Sequence, residues 1–133
     1  MPDGVHVRVG LERYAFDVAQ VREVEERGDV TPVPGSPPAV LGVRSLRGAV
    51  LPVIELSVAL GVHDEEPGRY ILVAQDGDLV AALVVHEIVG VEPLPEELED
   101  VGENGLVGRA LVDEELVGVL DARQVLLAVV GDG

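Results

Sequence analysis

The sequence predicts an all-β fold, and three observations carry that prediction. Of 133 residues, 47% are hydrophobic but only 2% aromatic, and valine alone fills 28 positions, so the core is aliphatic. β-Branched side chains pack well on a pleated sheet and lose rotamer freedom in a helix. Sixteen glycines and nine prolines then punctuate the valine runs, as the many turns of an all-β chain require. A chain of this length is one domain by size and buries roughly two-thirds of the surface its unfolded form exposes.

Taken in order, the first element is a hairpin: Val5 to Val9 alternates apolar residues with His6 and Arg8, turns through Gly10 to Arg13, and returns over Tyr14 to Val18. Asp17 is placed to cap one helical turn presenting Val18 and Val21, in competition with a strand that continues from Val21 to Arg27. Pro32, Pro34, Pro37 and Pro38 crowd Gly35 and forbid a regular ladder, which makes a shaped loop. Val40 to Leu46 and Ala49 to Ile54 follow as strands joined by a tight turn at Arg47-Gly48, and Leu56 to Leu60 reads as one helical turn.

The polar, acidic stretch from Gly61 to Gly68 is the seam between two halves. Beyond it, Tyr70 to Ala74 and Leu79 to Val85 flank the hairpin signal Asp76-Gly77, and both are near-continuous apolar runs expected to be covered on both faces. Ile88 to Val91 is a further strand. Glu92 to Gly105, with six acidic and no basic residues, reads as a solvated loop. The last hairpin, Arg109 to Val112 and Leu116 to Leu120, turns at Asp113 to Glu115, and Asp121 is a candidate N-cap for a terminal helix, Ala122 to Val130. Expected subdomains therefore run over about 5–61 and 70–121, followed by the helix at 122–130, although strands are free to cross between them.

The halves resemble each other. Val50-Leu51-Pro52-Val53-Ile54-Glu55 leading to Leu60 parallels Leu116-Val117-Gly118-Val119-Leu120-Asp121 leading to Leu127, with Glu55 and Asp121 66 positions apart. Val21-Arg22-Glu23-Val24 likewise echoes Val85-His86-Glu87-Ile88. Two related β subdomains sharing a long apolar seam account for the pattern.

The formal charge is −16, from 25 acidic residues against nine basic ones, all arginine. Such a surface repels phosphate backbones and anionic lipid, which argues against nucleic acid and membrane as partners, and its general effect is solubility. No cysteine is present, which excludes disulfides, thiolate metal sites and a cysteine nucleophile. The opening residues alternate as a strand rather than as a basic-then-apolar leader, and no apolar run reaches the ~18 residues of a membrane span; the expectation is a soluble cytoplasmic protein.

Catalytic patterns are missing. Ser36, Ser45 and Ser57 lie in no Gly-x-Ser-x-Gly context, and His6, His63 and His86 are too widely spaced to suggest a metal site. Abundant carboxylates make any single acid–base pair uninformative. Without a glycine-rich phosphate loop or any lysine, nucleotide binding is not indicated, and no cofactor is expected. Apolar surface on a two-part β fold points instead to protein recognition.

The stretch Gly42-Val43-Arg44-Ser45-Leu46-Arg47-Gly48-Ala49-Val50-Leu51-Pro52-Val53-Ile54-Glu55-Leu56 resembles the signature of the CheW-like family: glycine, short strand, Leu-Arg-Gly turn, proline-containing strand, acidic-Leu exit. Tyr14 to Asp17, Val21-Arg22-Glu23-Val24, Pro37-Pro38 and the segment Gly108 to Asp121 extend the resemblance from about Val5 to Val130. It implies two small SH3-like β-barrels around a shared hydrophobic seam, no catalytic activity, and partners in the regulatory domain of a CheA-type histidine kinase and the cytoplasmic tips of chemoreceptors. Carried over by position, Arg47 is the turn arginine of receptor and kinase coupling, Val21 and Glu23 fall at partner-binding positions, and Gly42 holds the strand entry. Each also has an ordinary structural reading: Arg47 as a solvated turn residue, Val21 and Gly42 as core and turn, Glu23 as one more surface carboxylate. The chain departs from the family pattern at His86, where an aspartate is usual, and in its acidity. The adaptor reading stands beside two others, a regulatory module belonging to a larger CheA or CheV protein and a small carboxylate-dependent hydrolase.

Overall fold

The structure, a computed structural model, describes residues 2–96, 98–99 and 105–131. Among the described residues, ten strands and two short α-helices follow one another: β1 (Asp3–Val9), β2 (Glu12–Asp17), β3 (Val21–Glu26), β4 (Val40–Leu46), β5 (Ala49–Glu55), α1 (Leu56–Leu60), β6 (Tyr70–Asp76), β7 (Leu79–Val85), β8 (Glu87–Pro93), β9 (Leu106–Val112), β10 (Glu115–Leu120) and α2 (Ala122–Gly131). Both readings of the segment after Asp17 are realised. Asp17 accepts a hydrogen bond from the Ala19 N–H at 2.9 Å and caps a single 3-10 turn over Val18–Gln20, after which β3 begins. Asp121 caps α2 as expected, accepting from the Gln124 N–H at 3.0 Å.

The all-β expectation holds. The strands form two five-stranded sheets, ordered β8-β1-β2-β10-β9 and β3-β6-β7-β5-β4. Each is curled until the chain beyond one edge strand meets the opposite edge. Thr31, past β3, exchanges two backbone hydrogen bonds with Val43 of β4 (2.8 and 2.9 Å), and Glu99, past β8, does the same with Arg109 of β9 (2.8 and 2.9 Å). Both closures depend on the glycine one residue earlier. A Cβ on Gly42 would lie 2.0 Å from the Thr31 carbonyl oxygen, and one on Gly108 would lie 2.7 Å from that of Glu99. Gly42 and Gly108 are 66 positions apart, the offset of the sequence repeat.

The repeat is exchanged between the two sheets. The first half contributes its leading hairpin, β1–β2, to one barrel, where β8 adds antiparallel to β1 and β10 adds parallel to β2. The second half contributes its hairpin, β6–β7, to the other, where β3 adds to β6 and β5 adds parallel to β7. Each barrel thus combines one half's first hairpin with the other half's remaining three strands, and the boundary near 61–70 in the sequence does not coincide with the boundary between sheets.

Alternation within the strands divides the apolar residues three ways. Val5, Val7, Val9, Tyr14 and Phe16 join Leu72, Ala74, Ala81, Leu83 and Val85 and the helix residues Leu56, Ala122, Val125 and Leu126 in a large core between the barrels, the expected seam. Leu51, Val53, Ile71, Val73, Ala82 and Val84 fill the second barrel, and Ala15, Leu94, Val117 and Val119 fill the first. β6 and β7, buried on both faces, divide their side chains between seam and barrel.

Three local expectations shift. The β6–β7 turn falls on Gly77-Asp78, because Asp76 pairs with Leu79 and only Gly77 of the two takes a positive φ (59°). β9 starts at Leu106, three residues before the expected strand. The acidic segment Glu92–Gly105 is partly strand: Glu92 and Pro93 complete β8 and Glu99 makes the closing bridge, while residues 97 and 100–104 lie outside the described residues.

Candidate functional site

Of the four expected site residues, two are in direct contact. Arg47 and Gly48 form the two-residue β4–β5 turn with positive φ at both positions (49° and 81°), as a type I′ turn demands. From there the guanidinium reaches β3, where Arg47 Nε donates to both carboxylate oxygens of Glu23 at 2.9 and 3.1 Å. The pair spans the line along which the second barrel closes. Glu23 and Glu25 are registered opposite Val73 and Ile71, core residues of that barrel, so both carboxyls point toward its mouth. Arg44 Nη2 approaches Glu25 at 3.8 Å and Arg47 Nη2 at 3.9 Å.

The two carboxyls divide their acidity. A hydrogen bond to Glu23 holds the Glu25 proton above the ordinary carboxylate range, whereas Glu23, accepting from Glu25 and then from Arg47, is held below it. Arg47 remains 69% exposed, against 19% for the Glu23 side chain. The result is a positive group presented to solvent and held in place by a carboxylate beneath it.

Val21 and Gly42 do not join this contact. Val21 opens β3 just before a bulge, opposite Ala74, and packs against the seam between the barrels. Gly42 faces the backbone of Thr31 and Pro32, and its role is to admit the closing segment.

Two features escaped the sequence reading. The first is an ion cluster inside the mouth of the first barrel. The fully buried His6 accepts from Arg13 through Nδ1 (3.2 Å from Nε), Arg13 also meets Glu92 and Glu115 at 3.1 and 3.3 Å, and Arg8 binds both oxygens of Glu115 at 2.8 and 3.0 Å. Burial, then the neighbouring Arg13, pushes the His6 pKa below its ordinary value, so the imidazole is neutral and acts as an acceptor. The second is a face of three exposed leucines, Leu11 (94%), Leu111 (72%) and Leu116 (53%), around Arg109, which lines three adjoining grooves. Leu111 and Leu116 are registered partners and share a face.

His86 sits at the bend between β7 and β8. Its Nδ1 accepts from the Gly10 N–H at 3.0 Å, and its Nε2 lies 2.8 Å from the Glu66 carbonyl, to which it donates in the tautomer that the first bond requires. It fastens the connection between the halves. Among the described residues no group of three or more metal-ligating side chains is assembled, and no helix is long and apolar enough to cross a membrane.

The family model described as CheW-like domain matches residues 3–129. The chain belongs to the CheW-like family. It is 35% identical to the chemotaxis protein CheW of Thermotoga maritima over 119 residues, covering 84% of this chain and 79% of the relative. With the CheW of Bacillus subtilis the identity is 31%, over 89% and 82%. The crystal structure of the scaffolding protein TtCheW from Thermoanaerobacter tengcongensis superposes with a TM-score of 0.81 at 25% identity, covering 90% of this chain and 89% of that one. The CheW-like chain is accordingly a chemotaxis scaffold and not an enzyme, which sets aside the hydrolase reading. The Glu23–Glu25 pair, although split in acidity like an acid and a base, is an arginine-bound element of that scaffold.

Proposed function

We propose that the chain couples a CheA-type histidine kinase, through its regulatory domain, to the cytoplasmic tips of chemoreceptors, with the Arg47–Glu23 pair within the coupling surface. The observation that carries this reading is the double hydrogen bond from an exposed turn arginine to β3, which fixes the direction of a guanidinium that solvent alone would leave free. A pre-oriented arginine loses less freedom when it meets a carboxylate or backbone carbonyl of a partner. Val21 anchors the start of β3 to the seam core, and Gly42 sustains the closure that brings β3 within reach of the turn.

An adaptor needs a second face. The leucine face around Arg109 belongs to the first barrel, whereas Arg47 and Glu23 belong to the second, so two partners bound at these places would meet different barrels. At −16 overall, the chain favours partners with basic contact surfaces.

Calorimetric titration with the regulatory domain of a cognate CheA, at two salt concentrations, tests the proposal. Saturable binding that weakens with salt and is lost in Arg47→Glu, with the far-UV circular dichroism of the variant unchanged, is the expected result. No binding by the unaltered protein at either salt overturns it.

A further inference from the structure

We propose that a second copy of this chain is a partner for its halves: residues 3–60 of one copy and 70–131 of another assemble into the same two barrels, reciprocally, with residues 61–69 as the hinge. The argument is one of strand pairing. Within the first half the pairings are β1 with β2 and β4 with β5, and β3 pairs only with β6. Within the second, among the described residues, they are β6 with β7 and β9 with β10, and β8 pairs only with β1. Either half alone therefore holds two hairpins and one strand without a partner. An isolated hairpin is marginal in water.

Everything that turns these hairpins into sheets joins one half to the other: β1 to β8, β2 to β10, β3 to β6 and β5 to β7. The seam core is likewise drawn from both halves, with Val7 and Phe16 against Leu83 and Leu126. Even the cap of α2 is shared, because Gln20 Oε1 accepts from the Ala122 N–H at 3.0 Å. None of these interactions passes through the covalent connection, so a complementary half from a second copy satisfies them equally.

Covalent connection within one copy favours the monomer only through effective concentration, which for a short linker is of the order of millimolar. At micromolar protein the monomer then leads by about a thousandfold, and the lead disappears as protein concentration rises or the linker shortens. Once folded, a copy exchanges halves only by opening four strand interfaces, so exchange accompanies folding and not mere mixing.

The test exploits a chain without cysteine. Arg8 and Glu87 are registered partners on β1 and β8, in opposite halves, and both are partly exposed. Registered antiparallel residues lie within disulfide range. Full-length Arg8→Cys and Glu87→Cys variants are unfolded, mixed, refolded together at high concentration and oxidised, and the disulfide-linked pairs are counted by mass. The expected result is an excess of the mixed pair over the share formed when the variants are folded separately and then combined. A mixed pair no more frequent after co-refolding overturns the proposal, as does a dimer that forms on simply mixing folded protein, which denotes association of folded surfaces. A second variant lacking Val62–Glu66 is expected to keep its circular dichroism and to show twice its own chain mass by light scattering. A folded monomer there overturns the proposal, and should that variant fail to fold, the disulfide count decides.

Discussion

Gly42→Ala tests whether a residue expected at a partner-binding position acts through the fold. The added Cβ would lie 2.0 Å from the Thr31 oxygen, 2.7 Å from its carbonyl carbon and 2.9 Å from Pro32 Cα, all of them backbone atoms that no rotamer change can move. Carbon atoms pack comfortably at about 3.5–4.0 Å, so the segment bearing Thr31 has to withdraw by more than an ångström. That withdrawal breaks both hydrogen bonds of the Thr31–Val43 bridge, at about 1 kcal/mol each. Holding alanine near the native φ of 152° adds about 1–3 kcal/mol. The total is about 3–5 kcal/mol, a large part of the ~5–15 kcal/mol that stabilises an ordinary domain. With a urea slope of about 1–3 kcal/mol per molar, the midpoint falls by roughly 2 M. Urea titration followed by circular dichroism measures the fall, and hydrogen exchange locates it: the Thr31 and Val43 amides should lose protection while those between β6 and β7 keep it. A midpoint shift under ~0.5 M with both amides still protected would refute the closure argument.

Other expectations follow from the same geometry. Gly108→Ala meets Glu99 without a left-handed backbone, so urea titration should find it less destabilising than Gly42→Ala. Phe16, fully buried in the seam, should cost about 3–5 kcal/mol as Phe16→Ala, measured by the same titration. Because the His6 pKa is lower in the folded protein, the unfolded chain takes up the proton first as pH falls; the histidine's contribution is whole above about pH 6.5 and is lost below it, down to the folded pKa. Glu25 and Glu55, whose folded pKa values are raised, act in the opposite sense, so the measurement is the difference between the protein and His6→Asn across pH 5–7.5, which should narrow toward acid. His86→Asp cannot donate to Glu66 and stands beside Asp64, so proteolysis within residues 61–69 should accelerate.

Much of the fold was legible because alternation in valine-rich strands is a direct print of burial. Val5, Val7 and Val9 against His6 and Arg8 mark a strand, but the alternation does not say what the second face meets. His6 and Arg8 face not water but the lumen of a small barrel, where Arg13 and Glu115 accompany them. Period-two alternation states that two faces differ and not that the polar one is wet. The Arg47–Glu23 contact was hidden for a different reason: it joins residues 24 positions apart on strands that are not neighbours in the sheet order, and only barrel closure brings them together. The turn at Arg47-Gly48 could be read locally, its partner could not. Glu55 and Asp121 occupy matching positions of the repeat, but only the shorter aspartate caps its helix, a difference that side-chain length anticipates.

The exchange of strands also bears on what a scaffold must do. Two barrels joined by a flexible tether would present the Arg47 surface and the leucine face at variable angles, and each binding event would have to fix that angle at an entropic cost. Here every barrel contains strands from both halves, and the core between them is continuous from Val7 through Phe16 to Leu126. Turning one barrel against the other shears this core and strains the two places where the chain crosses between sheets, from β2 to β3 and from β7 to β8. On the proposed coupling, the continuous core fixes the angle between the Arg47 surface and the leucine face, so substitutions in the seam should weaken binding at both proposed faces together, whereas Arg47→Glu should affect one, as titration of each partner separately would measure.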